Sequence, residues 1–169
     1  LTPASGSLLI NGMEPGVETK KIVSYLPERT YFNNAMKVSE ILKLFSDFYE
    51  DFDRVKAEDM LRRLDVNPAF KFKTLSKGTK EKVQLVMVMA RRAKLYLLDE
   101  PIGGVDPAAR EYILDTVISN YAEGASVLIS THLISDVERV LNDFIFLRYG
   151  QLIMQGNVQQ VCSEQGKSL

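Results

Sequence analysis

"LYLLDEPIGGVDP", Leu95 to Pro107, is the stretch on which the reading of the whole chain turns. Leu95, Tyr96, Leu97 and Leu98 suit a buried strand, which stops at two adjacent acids, Asp99 and Glu100. A glycine pair then leads to Asp106 and Pro107. A carboxylate at the C-terminal end of a buried parallel strand lies where open α/β sheets bind their ligands. Pro107 suits the first position of a helix and Gly124 stands just beyond its end, with Ala109, Ile113, Val117 and Tyr121 as the apolar stripe between them. An isolated strand ending in "DE" reads more readily as a strand ending in two solvated acids. What surrounds it changes the reading.

Downstream, "SVLISTH" (Ser126 to His132) is a second apolar strand, ending at the single histidine of the chain. His132 therefore falls on the same sheet edge as Asp99 and Glu100, where it can hydrogen-bond a phosphate oxygen or a nucleophilic water. A short helix through Val140 follows, and "DFIFLRYGQLIMQG" reads as a hairpin turning at Tyr149-Gly150. Upstream, "SGSLLING" (Ser5 to Gly12) and "KIVSYLPE" (Lys21 to Glu28) read as strands, the second broken by Pro27. From about Val38 to Arg92 the pattern is helical. Ile41, Leu42, Phe45 and Phe48 share one face, and Val55, Leu61 and Leu64 another. "KGTKEKVQLVMVMARR" is a third, largely buried helix with Ser76 placed to cap it. The serine hydroxyl and free N–H groups at such a helix start bind anions. The expected fold class is α/β: one parallel sheet carrying a helical insert of about 50 residues between two of its strands.

Bulk properties set limits. The chain has 169 residues, enough for one sizeable core, and apolar and charged fractions of 46% and 25%, ordinary for a globular protein. A net charge of −1 speaks against a broad nucleic-acid footprint, which needs a basic face. The single cysteine, Cys162, excludes an internal disulfide. No apolar run approaches the roughly 20 residues that span a bilayer.

Taken together, "LSKGTKEK", "LYLLDEP", "GGVDP" and "STH" resemble, in order and spacing, the nucleotide-binding domain of ABC transporters, a phosphate-loop NTPase with a RecA-like sheet. The resemblance covers nearly the whole chain. It implies a core subdomain over residues 1–32 and 93–169 and a helical signature subdomain over 33–92. It implies that Ser76, Lys77 and Gly78 belong to the signature motif, which reaches the γ-phosphate held by a partner subunit. Asp99 becomes the Walker B acid that holds Mg²⁺, Glu100 the catalytic base, Asp106 the D-loop acid and His132 the switch histidine. "SYLPERT" falls at the Q-loop, where Glu28 stands in place of the family's usual Gln and is a second candidate ligand for Mg²⁺. Lys77 replaces a signature glycine, as in the bacterial exporter-type branch, and a cation there suits a triphosphate.

The phosphate-loop pattern G-x-x-x-x-G-K-[ST] is absent between Leu1 and Lys94. "VCSEQGKSL" reproduces its second half in Gly166-Lys167-Ser168, with Val161 where the leading glycine belongs. In the family the loop precedes a stretch like "LTPASGSLLING", so the chain is expected to begin after the N-terminal strands and Walker A loop, at Leu1 and without an initiator Met. On that reading it binds ATP poorly alone, and a seam in its sheet is left for another element to fill. The implied function is the ATP-binding, ATP-hydrolysing subunit of a transporter. Its cofactors are ATP and Mg²⁺, and its partners a membrane-spanning permease and a second nucleotide-binding subunit, the same or different. Its implied location is the cytoplasmic face of the cell membrane. The alternative is a non-catalytic interaction or regulatory subunit, favoured by Glu28 and the absent loop and opposed by the intact "DEP" and "STH". A soluble relative acting in DNA repair or translation is disfavoured by the charge.

Two smaller features remain. Lys71, Lys73, Lys77, Lys80 and Lys82 read as a solvated face or as phosphate steering. Tyr31 and Phe32, just after Glu28, are candidates for an exposed interface with the membrane partner.

Overall fold

The computed structural model describes residues 5–103, 105 and 107–165. The sheet expected from the sequence is present. β1 (Val23–Leu26), β2 (Leu95–Asp99) and β3 (Ser126–Ser130) pair in parallel in the order β1-β2-β3. In register, Tyr25 faces Leu97 and Leu97 faces Leu128, while Asp99 pairs with Ser130. Parallel neighbours need crossovers, and the two here are helical. The first is the insert: α2 (Val38–Phe48), α3 (Arg54–Arg63) and α4 (Lys77–Met89). The second is α5 (Pro107–Asn120).

α4 is the spine of the molecule. Val83, Leu85, Val86, Met87, Val88, Met89 and Ala90 are all buried, and each larger side chain among them contributes about 1.5–3 kcal/mol of burial. It touches α3, α5 and β1, so its apolar surface runs all round rather than along one stripe. Buried Ser24 of β1 donates to the Val88 carbonyl at 2.9 Å, fixing strand to helix. Tyr96 and Leu98 put one face of β2 into the same core. The opposite sheet face is open: Tyr25 and Leu128, flanking Leu97, are 51% and 58% exposed.

The insert closes on itself by backbone pairing. Phe72 N–H donates to Met36 at 2.7 Å, Lys73 N–H to Asn34 at 3.0 Å, and Val38 N–H to Phe70 at 3.1 Å. The chain leaving β1 therefore runs beside the chain entering α4.

The remaining elements are α1 (Val17–Ile22), α6 (Ile134–Val137), α7 (Val158–Gln165), and the hairpin of β4 (Asp143–Arg148) and β5 (Gln151–Asn157). The hairpin turns at Tyr149 and Gly150, with φ of 49° and 75°, the pair of positive angles a two-residue hairpin turn requires.

Several expectations fail. Ser5–Gly12 is not a strand: it contributes one isolated bridge, Ile10 to Met13, across a turn in which Asn11 and Gly12 have φ of 52° and 78°. α1 was not foreseen; it starts where Gly16 N–H donates to Thr19 Oγ1 at 2.8 Å. Phe48, Val55 and Tyr121, placed on core stripes, are exposed. Phe32 is buried, edge-on to Phe45 and Phe72 at 5.8 and 5.5 Å, so it belongs to the core of the insert and not to an interface; Tyr31 remains exposed. The lysine run is mainly solvated, with Lys80 over the Phe72 ring and Lys82 over the Tyr112 ring.

Candidate functional site

The C-terminal ends of β2 and β3 open on a cleft of about 910 Å³. Four segments line it: Glu28, Arg29 and Thr30 after β1, Lys77, Lys80 and Glu81 of α4, Glu100 and Gly103 after β2, and His132 after β3. The backbone pairing of the insert carries the first two segments into the same cleft. Gln84 adds to it, its buried amide donating to the Pro27 carbonyl at 3.1 Å, immediately before Glu28.

Glu100 sits at the centre. Its N–H donates to the Ser130 carbonyl at 2.9 Å, extending the β2–β3 ladder by one residue. Its φ of 46° then turns the chain sharply. Left-handed backbone is unfavourable for a side-chain-bearing residue and concentrates at functional sites. The turn is closed by Gly103 N–H to Glu100 O at 3.0 Å. It leaves both carboxylate oxygens engaged with the end of β3: Thr131 Oγ1 donates to Oε2 at 3.1 Å, and His132 Nδ1 lies 2.8 Å from Oε1. Because a carboxylate only accepts, the tautomer that satisfies this contact carries its proton on Nδ1, leaving Nε2 free on a ring that is largely exposed.

Asp99 lies beside the cleft rather than among its lining residues. Ser130 Oγ donates to its Oδ1 at 2.6 Å. Tyr25, diagonally across the sheet face, has its phenol held above the ordinary value of 10.0 by partial burial and then by the Asp99 carboxylate. Asp99 is a hard oxygen donor, the type Mg²⁺ takes one or two at a time together with waters and phosphates. Glu28 is exposed and lines the cleft, and no cluster of three or more metal-ligating side chains occurs among the described residues. The residues present thus fit a cation held by Asp99 and completed by ligands from outside the chain, as distinct from an all-protein cage.

Ser76 caps α4, accepting from Thr79 N–H at 3.2 Å, and is exposed beside the cleft with Lys77. Gly78 has nothing within 4 Å of a would-be Cβ, so the first turn of α4 leaves open space there. Lys77 Nζ stands 3.8 Å from Glu81. Glu81 is the unexpected member: its Oε2 is buried without a partner, and burial raises its pKa above 4.5 against the opposing pull of Lys77. Asp106 and Gly166-Lys167-Ser168 lie outside the described residues. Sequence reading quoted the stretches that hold Tyr25, Ser130, Thr131, Gly103 and Glu81 but gave these residues no role, because hydroxyls at strand ends and a glutamate in a charged helix carry no pattern of their own. Among the described residues no helix is long and apolar enough to cross a membrane.

A family model described as "ABC transporter" matches residues 1–103. The chain is similar to the ABC transporter ATP-binding protein YtrB of Bacillus subtilis, 30% identical over 151 residues, covering 88% of this chain and 52% of that protein. It is also similar to the ABC-type transporter ATP-binding protein EcsA of the same organism, 29% identical over 178 residues, covering 98% and 70% respectively. A solved ATP-binding subunit of an ABC transporter superposes with a TM-score of 0.82 at 29% identity, over 97% of this chain and 72% of that one. CbiO1 of Clostridium perfringens, described as part of the complex cbiONQ, shares the fold with a TM-score of 0.76 at 23% identity, over 98% and 71%. The chain spans about half the length of several curated relatives it matches, 52% of YtrB and 58% of MJ1023 from Methanocaldococcus jannaschii.

Proposed function

The chain belongs to the ABC transporter family, in the lineage of its ATP-binding proteins, and from that premise we propose that it is the ATP-hydrolysing subunit of a transporter. The observation that carries the proposal is the Glu100–His132 pair, 2.8 Å apart at the ends of adjacent parallel strands, opening on a cleft that α4 enters by its N-terminal turn.

Each residue then has a role. Asp99 holds Mg²⁺, with Glu28 as a second oxygen from the cleft wall. The cation, when bound, neutralises charge developing on the transferred phosphoryl group. Glu100 accepts the proton of the attacking water, a task worth roughly 10²- to 10⁴-fold in rate. Thr131 and His132 fix its two oxygens, and to hold a phosphate oxygen as well His132 donates from Nε2, which requires a proton on both ring nitrogens. Ser76, Lys77 and Gly78 present a hydroxyl, an ammonium and backbone N–H groups to the phosphate bound by a second subunit, and the role of D-loop acid falls to Asp106. Residues 1–32 and 93–169 act as the core subdomain and 33–92 as the helical one. The assembly works at the inner face of the membrane, with the exposed Tyr31 as a candidate contact for a permease. The 169 residues contain no complete phosphate-loop pattern, so a polypeptide of these residues alone is expected to bind ATP weakly and to hydrolyse none. The open face bearing Tyr25 and Leu128 offers an apolar seat beside Asp99 for a further element.

The test is phosphate release by the full-length protein and its Glu100→Gln variant. Turnover should fall roughly 10²- to 10⁴-fold while nucleotide binding persists. Turnover unaffected by the substitution overturns the assignment of the base. The second reading, a non-catalytic subunit, is favoured by one observation, the carboxylate of Glu28 exposed in the cleft. Nucleotide binding without turnover in the unmodified protein would support it.

A further inference from the structure

We propose that Arg110 is a positioning residue for the Glu100–His132 pair, holding the two loops that carry them in one register. The proposal rests on the reading of that pair as the reacting centre.

Arg110 lies in the first turn of α5, outside the cleft lining, and no motif points to it. Its guanidinium nevertheless reaches both loops. Nε donates to the Val105 carbonyl at 3.2 Å, in the loop that starts at Glu100. Nη1 donates to Asp136 Oδ2 at 2.8 Å, in the short helix that starts just after His132. The side chains of the pair are 26% and 35% exposed, more sheltered than the neighbouring contact of Arg139 with Glu111. A planar guanidinium presents donors at fixed angles, so it can tie a carbonyl and a carboxylate together where an ammonium holds only a point contact.

The two ties close a circuit. From Asp136 the N–H donates back to the Leu133 carbonyl at 3.2 Å, and Leu133 N–H donates to Thr131 Oγ1 at 3.1 Å. Thr131 and His132 both bond Glu100, and the Glu100 carbonyl accepts from Gly103 on the way to Val105. The near side of this circuit is the Glu100 carboxylate, and the far side is Arg110. Without Arg110 the ties that remain among the described residues between the loops after β2 and β3 are the Glu100 N–H to Ser130 carbonyl bond at the strand ends and the carboxylate itself, the group that must stay aligned with a reacting water. A misplacement of about 1 Å at such a group costs on the order of 100-fold.

The experiment uses the full-length protein with Arg110→Ala, Arg110→Lys and Asp136→Asn, and with Glu100→Gln as control. Four quantities are read: kcat and KM for ATP, the thermal midpoint, and the ring-carbon NMR resonance of His132 without nucleotide, assigned through His132→Gln. Arg110→Ala and Asp136→Asn should lower kcat roughly 10- to 100-fold with KM little changed. Both should displace the His132 resonance, and Arg110→Lys should recover part of each effect. A wild-type kcat and an unmoved resonance in both variants would overturn the proposal, as would a kcat loss that only tracks a lowered thermal midpoint. If Arg110→Ala does not fold, Asp136→Asn decides. If the unmodified protein turns over no ATP, the functional reading fails, and the His132 resonance still decides the positioning role.

Discussion

At Gly103 the chain passes so close to Glu100 that a Cβ there would lie 3.3 Å from both Glu100 Cβ and Glu100 O, and 3.5 Å from Oε2. Gly103→Ala must move either the turn or the carboxylate, and it is the carboxylate that is held only by side-chain bonds. The expected result is a kcat of the full-length protein lower by about tenfold, with its circular dichroism unchanged. Glu81 gives a different test. Its folded pKa is raised, so the folded state holds the proton more tightly than the unfolded chain does. The carboxylate therefore costs stability once pH rises above the unfolded value of about 4.5, and that cost vanishes below it. Glu81→Gln should accordingly melt higher than the unmodified protein at pH 7, with the difference shrinking as the pH is lowered towards 4; equal melting at both would remove Glu81 as a strained site. Glu100 and His132 were legible in the sequence because reactive residue types stood at the ends of apolar strands. Gly103 and Glu81 were not, since their importance comes from atoms brought near by the turn after β2 and the packing of α4.

Among the elements, α4 was readable from its start: Ser76 at its cap and a solid apolar run behind it. Its C-terminus was not. Lys56 of α3 donates there to the Met89 carbonyl at 2.8 Å and, with the same ammonium, to the Asn120 carbonyl at the end of α5 at 2.5 Å. One side chain thus serves the unsatisfied acceptors of two helices, where a cation also complements both dipoles. Lys56→Met keeps the stem and removes these bonds. It should cost about 2 kcal/mol in urea unfolding, the scale of hydrogen bonds to a charged group; a loss well below 1 kcal/mol would mean that water takes its place. Periodicity placed Ile41, Leu42 and Phe45 of α2 correctly and misplaced Phe48 and Val55. It marks the side of a helix that faces the core, but not how far along the helix that core extends. Ser5–Gly12 has strand-like residues but finds no strand partner beyond its own turn, and a strand is defined by its neighbour.

At the scale of the whole molecule, the sequence told of a sheet with a helical insert but not of what locks one to the other. That joint is Arg91, 3% exposed at the end of α4. Nε and Nη2 grip the two oxygens of Asp51, between α2 and α3, at 2.9 and 3.1 Å. Nη1 and Nη2 donate to the Val23 and Lys21 carbonyls, where α1 enters β1, at 2.6 and 2.5 Å. The guanidinium also lies 3.9 Å from the Tyr49 ring centre, and the Arg91 carbonyl accepts from Tyr96 of β2 at 2.6 Å. The insert, the central strand and the edge strand therefore meet on one residue. Removing one partner of a buried pair leaves its counterpart charged and unpaired, which costs about 3–5 kcal/mol. Against a typical total of about 5–15 kcal/mol, Arg91→Ala should unfold at much lower urea. Arg91→Lys is the sharper variant. It keeps the charge next to Asp51, but a single ammonium cannot fork to a carboxylate and two carbonyls at once. If charge alone holds the joint, the lysine protein should unfold near the unmodified midpoint. If the fork holds it, the lysine protein should fall close to Arg91→Ala, and amide exchange should quicken in β1 and in the Asp51 turn together, because both are released by the same loss.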